Sequence, residues 1–204
     1  MKTPLALFDF DHTLYRGDSM LDFTKFAFGG TRFYTGMALI SPILILMKLG
    51  IISHESAKIA YQRYFFAGKS EQDCKEKAKD FSLKIGNNLD DGLSQKLKQH
   101  RASGHHIYIV SASCTLWLRD WCSLNGVGLI ANEMESVNGQ LTGRLVTKNC
   151  RGPEKVERIR EHIDVDSYSE VYVCGKGRGD REMLQLHRPP ENCFTEIHEQ
   201  SGEI

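Results

Sequence analysis

Neither sign of charge is in surplus: Lys and Arg together number 26, as do Asp and Glu, so the formal net charge is zero. An electrostatic nucleic-acid binder carries a basic excess that neutralises phosphates, so no nucleic-acid partner is expected. Cysteine is sparse and unpatterned. Positions 74, 114, 122, 150, 174 and 193 include no C-x-x-C pair and no nearby His-x-His. Zinc-ligand spacing is absent, and scattered thiols read as small buried hydrophobes of a reducing compartment. Proline is scarce, at five residues, and no repeat, low-complexity tract or Pro/Ser-rich linker is visible. The N-terminus has a lone Lys2, and its short apolar stretch is broken by Asp9 and Asp11. That is not the form of a signal peptide, and the expected location is cytoplasmic.

What is present is globular in character, with 41% hydrophobic and 25% charged residues over 204 positions. That length suits one α/β domain, or a compact domain carrying a small insertion. Phe33 to Met47 holds no charge and contains Ile43-Leu44-Ile45-Leu46-Met47, with Pro42 inside the run and Lys48 closing it. As a helix it would extend roughly 22 Å, short of the ~30 Å hydrocarbon core of a bilayer. The leading expectation is a buried helix of an insertion. A membrane-interfacial surface admitting a lipid-like substrate is the alternative, and a true span is a third.

Leu5 to Phe10 is an apolar run ending in acids, as expected of a buried parallel strand. Residues 19 to 85 are helix-like, with Ser53 and Ser70 as candidate caps. Asp90 to Arg101 reads as a helix stopped by Gly104, and His106 to Val110 as a second buried strand followed by Ser111-Ala112-Ser113. Thr115 to Asn125 reads as a helix, with Trp117 and Trp121 sharing one packed face. Val127 to Ala131 is a third strand candidate. Glu133 to Val146 alternates about Asn138-Gly139, which predicts a hairpin with a type I′ turn. Pro153 opens a helix to about His162, and Val171 to Cys174 is a strand running into a Gly-rich loop. Strands alternating with helices describe an α/β doubly wound, mainly parallel sheet, whose ligands bind beyond the strands' carboxyl ends. The helical block after the first strand is too long for one crossover, so it is read as an inserted lid.

Asp9-Phe10-Asp11 places two carboxylates at the end of the first strand, and full strand geometry would point both to one face. Held that close, they need a cation between them or a proton on one. Phosphoryl transfer uses both: one carboxylate attacks phosphorus and the other protonates the leaving oxygen. Taken alone the pair is equally a set of solvated strand-end carboxylates.

Asp9-Phe10-Asp11-His12-Thr13-Leu14 resembles the D-x-D-x-T-L signature of the haloacid dehalogenase superfamily. Ile109-Val110-Ser111-Ala112-Ser113 matches the second motif of that family, and Lys155 at a helix start matches the third. Gly175-Lys176-Gly177-Arg178-Gly179-Asp180 matches the acidic fourth motif only in part. With its helical insertion the chain looks like subfamily IB, the phosphoserine-phosphatase-like branch. The resemblance implies a Rossmann-like core of residues 1–14 and 89–204 and a helical cap of residues 15–88. It implies a phosphomonoester hydrolase in which Asp9 forms an aspartyl-phosphate and Asp11 is the general acid/base. Ser111 and the Ala112 backbone N–H would hold phosphate, and Lys155 would neutralise charge on nucleophile and phosphate. Magnesium would be bound by the Asp9 carboxylate, the Asp11 carbonyl and Asp180. The expected partner is a small-molecule phosphate ester, or a lipid phosphate at a membrane surface.

Lys176 stands where the family places a metal-binding Asp. An ammonium only donates hydrogen bonds and repels a cation. Three consequences are open. Asp180 becomes the direct ligand, or the Lys176 ammonium occupies the metal position, or the chain is a variant of an otherwise ordinary phosphatase. The functional alternative is a catalytically impaired phosphate-ligand binding or interaction protein.

Overall fold

In the computed structural model, which describes residues 3–189, four parallel strands form the central sheet. They are β1 (Leu5–Phe8), β2 (His106–Cys114), β3 (Gly128–Asn132) and, after the hairpin strands β4 (Met134–Val137) and β5 (Gln140–Leu145), β6 (Val171–Cys174). Their order is β3-β2-β1-β6. β1 lies in the middle, with Phe8 level with Ile109 on one side and Cys174 on the other. All four β1 residues are fully buried, as a strand covered on both faces requires. Alternate residues serve two cores. Ala6 and Phe8 pack with Trp117, Trp121 and the aromatics of the insertion, while Leu5 and Leu7 pack with Ile159, Val171 and Met183. The fold is the expected doubly wound α/β sheet.

Helices α1 (Ser19–Phe28), α2 (Gly30–Lys48), α3 (His54–Phe66) and α4 (Glu71–Ile85) follow β1, and α5 (Asp91–Ala102) leads into β2. Their starts follow from local chemistry. The side chains of Asp18, Ser53, Ser70 and Asp90 each accept a first-turn backbone N–H that has no partner within its helix. After β2 come α6 (Thr115–Leu124), α7 (Pro153–His162) and α8 (Arg181–Leu184). Asn138 and Gly139 both have positive φ, at 52° and 76°, as the I′ turn requires.

The hairpin hydrogen-bonds to the α3–α4 connection rather than to the sheet: the Gly68 N–H donates to Leu141 O, the Leu141 N–H to Lys69 O, and the Glu71 N–H to Gly139 O. Gly143, with φ +73°, allows this approach, because a Cβ there would lie 2.5 Å from the Arg63 Cα.

Two expectations change. β1 ends at Phe8, not Phe10, because the Phe10 ring turns into the core against Tyr15 and Trp121. The leading reading of 33–47 as a buried helix is corrected: α2 buries only Gly36 and Ile40, and its other apolar side chains are part or fully exposed. Pro42 is tolerated inside α2 because the Ala38 carbonyl, which loses its N–H partner, accepts the Ser41 hydroxyl at 2.7 Å. Five cysteines are free thiols, and Cys193 lies outside the described residues.

Candidate active site

The carboxyl end of the sheet gathers the chemistry. Asp9 directly follows β1, Ser111 lies within β2 three residues before its end, and Gly175 follows β6. The Asp9 backbone N–H donates to Cys174 O at 2.8 Å, which fixes the exit of the central strand. From the start of α7, Lys155 enters beneath these ends and is 2% exposed. Its ammonium donates to Asp9 Oδ1 at 2.6 Å, Asp180 Oδ1 at 2.6 Å and Val110 O at 2.9 Å, using all three of its protons. Asp9 is completed by Thr13, whose hydroxyl donates to Oδ2 at 2.7 Å.

Burial pushes the Asp9 carboxyl above the usual carboxylate range, against the pull of Lys155 and with the push of Asp180. Burial also works against the Lys155 ammonium, but Asp9 and Asp180 outweigh it and hold its pKa above the ordinary lysine value. The result is a buried cation between two carboxylates, in which Lys155 opposes the rise that burial imposes on Asp9.

Asp11 has different surroundings. Its Oδ1 accepts the Ser19 backbone N–H at 2.8 Å, from the first turn of α1. Burial, helped by the nearby Asp18 charge and opposed by the Ser19 bond, lifts its pKa to about 6. A carboxyl at that value exchanges its proton readily near neutrality, the property a general acid/base needs. The two acids of the D-x-D pair therefore do not share an environment.

Ser111 is buried and its hydroxyl accepts the Ser113 backbone N–H at 3.0 Å, in the stretch where pairing with β3 shifts register. Strand pairing itself continues to Cys114 with a register shift, longer than the sequence indicates. The Ala112 carbonyl accepts the Asn132 amide at 2.5 Å and also the ammonium of Lys58 from α3. Lys58 further donates to Asn149 Oδ1 at 3.1 Å, and burial pushes its pKa down. Lys58, Asn132 and Asn149 carry no local motif. Only the lone lysine amid the uncharged stretch of α3 between Glu55 and Arg63 hints at the first of them.

The fourth loop brings Asp180, 3% exposed, to Lys155. Its second oxygen accepts the Gly177 backbone N–H at 2.8 Å. Gly175 makes room for it: a Cβ there would stand 2.7 Å from Asp180 Cβ. Lys176 points elsewhere. Its ammonium lies 3.6 Å from Asp90 Oδ2 at the start of α5, and its side chain is about half exposed. Among the described residues no three His, Cys, Asp or Glu side chains are grouped to hold an ion. Two carboxylates do converge, however, and magnesium accepts one or two carboxylates with water and phosphate oxygens completing its shell. Asp9 and Asp180, which meet at the Lys155 ammonium, are oxygen donors of the kind magnesium takes, one acid fewer than the family pattern.

Residues 6–185 match the model of the haloacid dehalogenase-like hydrolases. The chain is 31% identical over 188 residues to the protein CicA of Caulobacter vibrioides, an alignment covering 89% of this chain and 82% of that one. A solved protein of unknown function from Bordetella pertussis Tohama I shares the fold at a TM-score of 0.76 and 20% identity, over 94% of this chain and 92% of that one. A substrate-bound phosphoserine phosphatase does so at 0.65 and 17%, over 92% and 84%.

Proposed function

From its membership of the haloacid dehalogenase-like hydrolases, we propose that this chain is a magnesium-dependent phosphomonoesterase with Asp9 as nucleophile. The observation that carries this reading is the Asp9 carboxylate held at 2.6 Å by the buried Lys155 ammonium, beside an Asp11 carboxyl raised to about 6.

An Asp9 oxygen attacks phosphorus as the ester P–O bond breaks. The leaving alkoxide takes the Asp11 proton and departs as the alcohol. Asp11, now a carboxylate, accepts a proton from water as that water attacks the aspartyl-phosphate, releasing inorganic phosphate and restoring Asp9. Lys155 lowers the repulsion between the incoming phosphate and Asp9. Ser111 and the Ala112 N–H would orient the phosphate oxygens. Magnesium, held by Asp9, the Asp11 carbonyl and Asp180, would supply further charge neutralisation. Substrate choice falls to groups reaching in from the helical insertion, Lys58 foremost, and the substrate is a small phosphorylated metabolite or a lipid-like phosphate.

A second reading rests on Lys176: with one acid missing, the pocket holds phosphate esters but turns them over poorly or not at all. Hydrolysis of an aryl phosphate across a magnesium titration separates the two, using wild type and Lys176→Asp. The wild type is expected to turn over only with magnesium. Lys176→Asp is expected to need about tenfold less of it, because it adds an oxygen ligand and removes a positive charge. A silent wild type with an active Lys176→Asp establishes the binding reading. Silence of both across a phosphate-ester panel removes the phosphatase.

A further inference from the structure

We infer that the outward face of α2 is a docking surface for an anionic lipid bilayer. This goes beyond the proposed reaction and does not depend on turnover. α2 has two apolar faces. Inward, Phe33, Met37, Ile40, Ile43 and Leu44 pack on the aromatic core, with Phe33 stacked on Phe65 at 6.2 Å. Outward, Ala38, Leu39, Pro42, Ile45, Leu46 and Leu49 follow one another at helical spacing and are all exposed. Leu39 is 68% exposed, Leu49 67%, and Ile51 in the following turn 66%. A soluble face would carry charge at such positions, and none occurs between Arg32 and Lys48. A contiguous exposed apolar strip of this kind marks an interaction surface.

Charge identifies the occupant. From Phe23 to His54 the charged residues are Lys25, Arg32 and Lys48, all exposed, with no acid among them. Cations at both ends of an apolar helix match an anionic headgroup layer over a hydrocarbon interior. Exposed Tyr34, which accepts the Lys25 ammonium at 3.0 Å, adds an amphipathic ring at the same level. A second copy fits less well, because two-fold pairing of antiparallel α2 helices sets Arg32 of one against Lys48 of the other. A helix of 19 residues reaches about the thickness of the hydrocarbon core. Spanning it would strip the inward face from Phe65, so α2 lies in the interface. It joins α1 to α3, which supply Ser19 and Lys58 to the candidate active site. Docking through α2 would therefore seat that site at the lipid surface.

The test is flotation of the full chain with vesicles of phosphatidylcholine alone or mixed with phosphatidylglycerol. The wild type is expected to float with the mixed vesicles and to lose much of that binding at high salt. Leu39→Glu/Ile45→Glu should reduce flotation about tenfold or more, while Leu83→Glu, an exposed leucine on α4, should not. Arg32→Glu/Lys48→Glu should abolish the preference for phosphatidylglycerol, and it decides the matter if the first variant fails to fold by circular dichroism. A wild type that floats with neither vesicle overturns the inference, as does a well-folded Leu39→Glu/Ile45→Glu that floats like the wild type. A wild-type dimer by light scattering, with no flotation, assigns the face to a second copy instead.

Discussion

Asp9→Asn is expected to abolish phosphate-ester hydrolysis, by on the order of 10³-fold or more, in a protein that remains folded. An amide has the shape of the carboxylate, and its oxygen can still accept the Thr13 hydroxyl that Asp9 accepts at 2.7 Å. It cannot attack phosphorus. Lys155 loses one anionic partner but keeps Asp180 and the Val110 carbonyl, so its charge stays compensated. With its oxygen toward Thr13 the amide turns its N–H donors toward Lys155, which costs the fold on the order of 1–3 kcal/mol, the penalty of a buried donor left without its acceptor. Steady-state hydrolysis with a parallel thermal melt checks both halves. Residual turnover within tenfold of wild type would remove Asp9 from the nucleophile's place.

Lys155→Met is expected to act on stability as strongly as on activity. The methionine fills a similar volume but leaves Asp9 and Asp180, 8% and 3% exposed, without the cation between them. Breaking a buried pair from one side costs about 3–5 kcal/mol. The pH dependence has a definite sign. Without the ammonium, burial holds the folded pKa of the Asp9 carboxyl still further above its unfolded one. The native variant therefore binds more protons than the unfolded chain above about pH 4, and its stability falls as pH rises. Its deficit against wild type should be small at pH 5 and full at pH 8 by denaturant unfolding. A deficit independent of pH would mean that Lys155 acts by packing alone. Hydrolysis should fall in the same variant at every pH, since the Lys155 charge no longer screens Asp9 from the substrate phosphate.

Much of this architecture is legible in the sequence where the signal is local. Asn138-Gly139 specifies its turn by φ preference, Pro153 its helix start, and Ser53, Ser70 and Asp90 their caps. Leu5 to Phe8 announces a two-sided buried strand by having no polar face. What was illegible depends on distant partners. The end of β1 is set by Phe10 finding Tyr15 and Trp121, which no strand pattern encodes. Lys58 meets the Ala112 carbonyl across 54 positions by the packing of insertion on core, and Asn132 meets Asn149 across 17 within the core itself. The direction of Lys176 depends on where α5 presents Asp90. The exposure of α2 was hidden because an all-apolar helix does not tell which of its faces the fold covers. The motif residues themselves, Asp9, Lys155 and Asp180, are brought together although 146 positions separate the first two.

The central claim, that Asp9 carries the phosphoryl group, is tested most directly by acid-quenching the enzyme during turnover of an aryl phosphate and sequencing its peptides by mass spectrometry. A single phosphoryl group on Asp9, labile to hydroxylamine and absent from Asp9→Asn, is the result expected. Steady turnover with no phosphoryl group trapped on Asp9, or with one trapped on another residue, would contradict the account.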